Sequence, residues 1–277
     1  MNFRHFFALC LLWSTTLSLL GCGGAPDSAN ANAGNGGGGS TASPVQAGVY
    51  YDGSSGHDFW GVITPGNRWY GLNYATANPD VYSGDLSGTG TLQATIPTPG
   101  MNYQNTADTV LNGAASMTSA GSGKLAGNLS LITTPSITPV SFNATTPTGY
   151  NYNQAAALSA IAGSWTGQLS FGSGSSANFV ITIAATDGSV TARASDGSEE
   201  FGHCKWITST SNFVAHSQFN FFALTLHMAP STGCDTDLND KTLTGMAFVT
   251  PGANNLQRLI WVATTSDGHA IAYKAER

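Results

Sequence analysis

Along most of the chain apolar residues alternate with polar ones, and short clusters of Gly, Asn, Asp, Ser and Pro interrupt the alternation. A period of two sends successive side chains to opposite faces of an extended chain, so the pattern predicts β-strands joined by tight turns. Trp165, Leu169 and Phe171 share one strand face, and Phe179, Ile181 and Ile183 share one face of the next. Thr186-Asp187-Gly188 then turns the chain into Val190, Ala192 and Ala194. Phe222, Leu224, Leu226 and Met228 line one face of a long strand. Residues 243–249, 256–264 and 270–274 continue the meander, with Ser266-Asp267-Gly268 as a hairpin turn. With residues 201–208 and a short strand near Phe213, this half holds about eight strands, a number that closes into a small barrel.

The first half is less regular. Residues 59–64 and 68–74 flank Pro65-Gly66-Asn67 as a hairpin, and residues 81–86, 90–96, 122–131 and 138–142 read as further strands. Pro97, Pro99, Pro135, Pro139 and Pro147 predict short edge pieces and loops there, because proline has no N–H for a ladder. The one helical candidate spans residues 154–161, Ala-rich and ended by Gly163. The expected fold is therefore all-β and antiparallel, with a smaller β-rich domain over residues 47–153 and an eight-stranded barrel over residues 154–277. A single sheet system running through both halves is the alternative.

The N-terminus breaks this pattern. Arg4 with His5, a mostly apolar run over residues 6–20 and the small Gly21 are the three zones of a secretory signal, residues 1–21. The run is shorter than the ~20 residues a spanning helix needs. Leu19-Leu20-Gly21-Cys22 resembles a bacterial lipobox. That resemblance implies a diacylglyceryl thioether on Cys22, cleavage before it and acylation of the new amino group, which together anchor firmly where one chain does not. Residues 22–46 continue as Gly, Asn, Ala and Ser with no aromatic residue, a composition that cannot offset its ordering entropy. Such a tether reaches roughly 25–30 Å. Gly23 and Gly24 stand where an aspartate would signal retention at the inner membrane, so by resemblance to known sorting signals the expected address is the outer membrane, lipid-anchored, on its periplasmic or cell-surface face.

Charge changes the picture by its scarcity. Only 9% of residues are Asp, Glu, Lys or Arg, against a typical ~25%. Once Arg4 is removed with the signal, fifteen acidic residues face eight basic ones, and no Lys/Arg cluster exists. That argues against nucleic acid as a partner and against electrostatic docking to anionic lipid. Of four cysteines, Cys10 is lost with the signal and Cys22 is the lipid site, which leaves Cys204 and Cys234 as one disulfide in an exported protein.

Ala162-Gly163-Ser164-Trp165-Thr166-Gly167 resembles the Gly-x-Trp-x-Gly opening strand of calycin-type barrels and of transferrin-binding-protein-B-like surface lipoproteins. The segment beyond it is similar to a group of uncharacterised proteobacterial lipoproteins, with Cys204 and Cys234 at the matching places. The resemblance covers residues 155–277 well and 47–150 loosely. It implies a calycin-like barrel in a surface lipoprotein. The long charged loops through which transferrin-binding lobes engage host protein are missing, so that activity is not carried over.

Other constellations fail on their spacing. Asp235-Thr236-Asp237-Leu238-Asn239-Asp240 begins like a calcium loop, but Asp240 replaces the sixth-position Gly and Met246 stands where the bidentate acid belongs. Gly121-Ser122-Gly123-Lys124 lacks the first Gly and the final Ser or Thr of a phosphate loop. No Gly-x-Ser-x-Gly occurs. His57, His203, His216, His227 and His269 do not pair at ligand spacing, so neither a metal nor a cofactor is expected. Glu199-Glu200 is an isolated acidic pair. The aromatic residues stand out: Tyr51, Trp60, Trp69 and Tyr82 belong to a crowd spread over both faces of the first hairpin. One face should be core, and the other a binding surface or the contact between halves. The expected function is a non-catalytic binding or surface-interaction module with a host or envelope protein as partner. A carrier of a small apolar ligand and an envelope hydrolase are the alternatives.

Overall fold

The computed structural model describes residues 45–277 except 55, 57, 75–79, 87–92, 105–109, 120–122, 132–139, 172–175, 195–203, 208–211, 233 and 235. Cys22, the signal and most of the tether lie outside the described residues, as do His57, His203, Glu199 and Glu200.

The chain forms two curled antiparallel sheets, as the alternation predicts. The first contains β1 (Gly48–Asp52), β2 (Phe59–Ile63), β3 (Arg68–Asn73), β4 (Asp80–Asp85), β5 (Gln93–Gln104), β6 (Val110–Ser119), β7 (Lys124–Leu131) and β8 (Val140–Thr145). Each strand pairs with the next, and Tyr51 pairs with Thr145, which closes the ring. A four-residue helix, α1 (Leu158–Ile161), leads into the second sheet. There β9 (Gly163–Phe171), β10 (Ser176–Ile183), β11 (Val190–Ala194), β12 (Lys205–Ile207), β13 (Phe213–Ala215), β14 (Phe222–Ala229), β15 (Thr242–Pro251), β16 (Gln257–Thr264) and β17 (Ala270–Glu276) follow. Their order is β11-β10-β9-β17-β16-β15-β14-β12, with β13 also on β14.

The eight-stranded ring thus falls in residues 48–145, where the pattern placed the smaller sheet, and the second half is nine-stranded and open at β11 and β12 among the described residues. The difference lies in β1, which the expected strands do not include, and in β6, where Gly113-Ala114-Ala115-Ser116 have little bulk to alternate. Its partner β5 runs through Pro97 and Pro99, and the register shifts between Ile96 and Met101, where two consecutive ladder donors are missing. The helix is shorter than its Ala-rich run suggests: Ala157 offers no side-chain cap, and one turn alone does not propagate.

Inside the ring, Phe59, Trp69, Met117, Leu125 and Phe142 form a packed core. Gly127 faces Phe142 across the ladder, and a Cβ there would lie 2.4 Å from the ring, so glycine makes room for the aromatic plate. Inside the second sheet, Trp165, Phe179, Phe213, Phe222, Met228, Trp261 and Tyr273 fill the centre. Trp165 donates from Nε1 to the Ile161 carbonyl at 2.7 Å, and the Tyr273 hydroxyl donates to the Trp165 carbonyl at 2.8 Å. The Arg277 guanidinium lies 3.9 Å from the Trp165 ring centroid and donates to the Ala160 and Ala162 carbonyls. Gly167 completes this strand, since a Cβ there would meet the Lys274 carbonyl oxygen at 2.2 Å.

A third core joins the two sheets. Val49, Trp60, Val62, Tyr70 and Leu72 on the outside of the ring pack against Met246, Phe248, Ile260, Val262 and Ala272 on the outside of the second sheet. Every residue of β2 is buried, and so is every residue of β16 from Leu259 to Thr264, because both faces are covered. Tyr150 and Tyr152, between the sheets in sequence, belong to the same cluster: Tyr150 contacts Phe248, and Tyr152 stacks 5.0 Å from Phe219.

Candidate functional site

The aromatic residues expected as a binding surface are not one. Trp60 is 1% exposed and faces the second sheet, 5.8 Å from Phe248, while Trp69 and Tyr82 lie inside the ring with their centroids 6.3 Å apart. Tyr51 is half-buried, stacked on Trp60 at 4.3 Å. A hairpin normally leaves one face to solvent. Here the ring covers the inner face and the second sheet covers the outer one, so both sets are core, and the alternative of a contact between halves is what Trp60 makes.

Where that contact ends, a cleft of about 730 Å³ opens between the sheets. Arg68 and Tyr70 of β3 form one wall. Asp240, Lys241, Thr242 and Thr244 form the other, closed off by Thr264, Thr265 and Ser266. Alternation along single strands builds this boundary. On β15 the outward positions read Thr242, Thr244, Met246, Phe248, and on β16 they read Ile260, Val262, Thr264. Each strand face changes from apolar to hydroxyl-bearing at the cleft, where Thr242 and Thr244 are exposed and Thr264, 5% exposed, marks the covered edge. Strand β3 does the same, with Leu72 buried, Tyr70 at the boundary and Arg68 outside it.

Both cations at the cleft are paired. Arg68 Nη1 lies 3.2 Å from Asp85 Oδ1, and Lys241 Nζ lies 3.3 Å from Asp267 Oδ2. A hydrogen bond from Thr265, with the Lys241 ammonium assisting, holds the Asp267 carboxyl below its ordinary range. Burial raises the Tyr70 phenol, opposed by Arg68, so it stays a neutral hydroxyl at physiological pH. Thr242 Oγ1 is 3.0 Å from His227 Nδ1, and Thr265 Oγ1 accepts from the His269 amide at 2.9 Å.

Thr242, His227 and Asp240 resemble a nucleophile, base and orienting acid in sequence of contact only. His227 Nε2 is 3.9 Å from Asp240 Oδ1, beyond hydrogen-bonding reach, so Asp240 does not orient the ring. Thr242 and His227 are simply register partners on adjacent strands. Among the described residues no three His, Cys, Asp or Glu side chains gather as a metal site.

The two cysteines are joined: Cys204 and Cys234, Cα atoms 4.5 Å apart, tie the approach to β12 to the loop after β14 and pack into the second core. The cleft threonines escaped the sequence reading. Their signal is a single strand face that holds Thr at one end and Met, Phe or Val at the other, which alternation alone counts as imperfect core. Comparison with family models, curated proteins and solved structures finds no match to the chain.

Proposed function

We propose that the protein is a non-catalytic, lipid-anchored module of the outer membrane that takes its ligand or partner in the cleft between its two sheets. The cleft carries this reading. It is a concavity of the size small-molecule and oligomer sites occupy, lined by convergent hydroxyls on strands whose other ends are locked in a shared core. The lipobox resemblance at Leu19 to Cys22 and the Gly/Asn/Ala/Ser stretch after it support the anchor and tether. The position of Gly163 to Gly167 as the strand that opens the second sheet supports the resemblance to calycin and transferrin-binding-protein-B-like barrels. Carriage of an apolar ligand would need space inside that sheet, and Trp165, Phe179, Phe222 and Trp261 occupy its interior.

Two measurements test the proposal. Fatty-acid labelling should mark the wild-type chain and not Cys22→Ala, and equal labelling would remove the anchor. A photo-cross-linker placed at Ser266, in the cleft, should capture an envelope component on intact cells, whereas one at Ser141, exposed on β8 outside the cleft lining, should not. Equal capture at both positions, or none at Ser266, would remove the cleft as the contact site.

A further inference from the structure

Resting on the cleft as the contact site, we infer that its ligand is an uncharged oligosaccharide. The argument begins with what the cleft does not offer. Strands β3, β15 and β16 are each paired on both sides, so no backbone edge is available to a peptide strand. Recognition must come from side chains. Two cations and three carboxylates surround the opening: Arg68 and Lys241 against Asp85, Asp240 and Asp267. An anion would have to displace paired carboxylates in a surplus of negative charge. An apolar ligand would find the Tyr70 ring, the Arg68 and Lys241 stems and threonine methyl groups, but no aliphatic or further aromatic side chain.

What remains is a grid of neutral hydroxyls. Thr244 and Thr264 are register partners, so their side chains project side by side, about 4.8 Å apart as neighbouring strands are. That is close to the separation of equatorial hydroxyls on alternate carbons of a hexopyranose. Thr242 lies two residues along the same face of β15, and Ser266 and the Tyr70 hydroxyl close the sides. Each hydroxyl both donates and accepts, which suits a ligand whose own hydroxyls do the same. Thr244 and Ser266 are exposed, Thr264 is nearly buried beside Thr244, and Thr242 and Thr265 are held by His227 and the His269 amide. The methyl groups of the threonines supply apolar contact for the C–H faces of a sugar ring.

The test uses the mature chain and defined probes: maltohexaose, cellohexaose and chitohexaose as neutral ligands, hexagalacturonate as an acidic one and a Gly/Ser hexapeptide as a neutral peptide. Titration calorimetry should show saturable binding of at least one neutral oligosaccharide, unchanged between low and high salt. Thr244→Val and Ser266→Ala should each weaken it roughly three- to tenfold, as loss of one hydrogen bond does, and Thr191→Val on the exposed face of β11 should leave it unchanged. Binding of hexagalacturonate or the peptide in place of the neutral sugars overturns the inference, as does neutral binding that Thr244→Val and Ser266→Ala leave intact. No oligosaccharide binding together with cross-linking from Ser266 overturns the sugar and leaves the cleft. Loss of both removes the cleft as well.

Discussion

Lys274 Nζ lies 2.6 Å from Asp58 Oδ2, so β17 of the second sheet is ion-paired to the turn that enters β2 of the ring. The same ammonium sits 4.3 Å from the Tyr74 ring centroid, and the other Asp58 oxygen accepts from Trp60 Nε1 at 3.0 Å. Charge, ring and indole from both halves converge at the rim of the shared core. Removing one partner leaves the other half-buried and unmatched. Lys274→Met should lower the unfolding free energy by about 1–3 kcal/mol, the range for a charge-assisted hydrogen bond. Urea titration of Lys274→Met, Asp58→Asn and the double variant checks it. Coupling near zero would mean the pair is incidental.

The shared core predicts that neither half is independent. Residues 154–277 expressed alone would expose Met246, Phe248, Ile260 and Val262 as one apolar patch. That fragment should bind a hydrophobic dye and self-associate, whereas the full chain should unfold in one transition. Phe248→Ala in the full chain should cost about 3–5 kcal/mol as a large-to-small core change. A monomeric, dye-silent fragment of undiminished stability would contradict this.

Alkaline pH should unmask the buried phenols. Burial pushes Tyr50 up to about 12, and it raises Tyr74, Tyr150, Tyr152 and Tyr273 further. A group whose folded pKa exceeds its unfolded value of 10.0 contributes stability that is complete below that value and lost as pH rises through the folded pKa. Stability should therefore be flat below about pH 9 and fall above pH 10. Absorbance of tyrosinate should show a late phase that coincides with loss of near-ultraviolet dichroism. Full ionisation near pH 10 with the fold intact would show the phenols to be wet.

Reduction of Cys204–Cys234 releases a loop of 30 residues' separation between β12 and the turn before β15. The chain-entropy relation gives a loss of about 3–4 kcal/mol. Urea midpoints with and without reductant, compared with Cys204→Ala/Cys234→Ala, measure it. No shift would mean that the second core already fixes this segment.

How much was legible follows the number of covers on each face. Strands β9, β10 and β14 are buried on one side, and their alternation of Trp165, Leu169, then Phe179, Ile181, then Phe222, Leu224, Leu226 identified them directly. Strands β2 and β16 are buried on both sides, so Trp60 and Trp261 carry no indication of which layer they face. The cysteine pair was readable because counting left no other partner. The cleft was not, because Arg68 and Thr244 are neighbours only after two sheets, distant in sequence, have docked. Strand β6 escaped for a different reason: Gly113, Ala114 and Ala115 give a ladder its hydrogen bonds without giving the sequence a period.

The place of β17 between β9 and β16 has a consequence for how the chain folds as it is made. A chain that emerges from its N-terminus can complete the ring over residues 48–145 as soon as those residues are out. The second sheet cannot follow in the same way. Strand β9 forms first, yet one of its edges waits for a partner about a hundred residues downstream, and Trp165 waits as long for Tyr273 and Arg277. During that interval an apolar strand stands open beside a finished barrel, and the half-built chain depends on whatever shields such edges. Assembly is therefore ordered by emergence, with the last strand acting as the keystone.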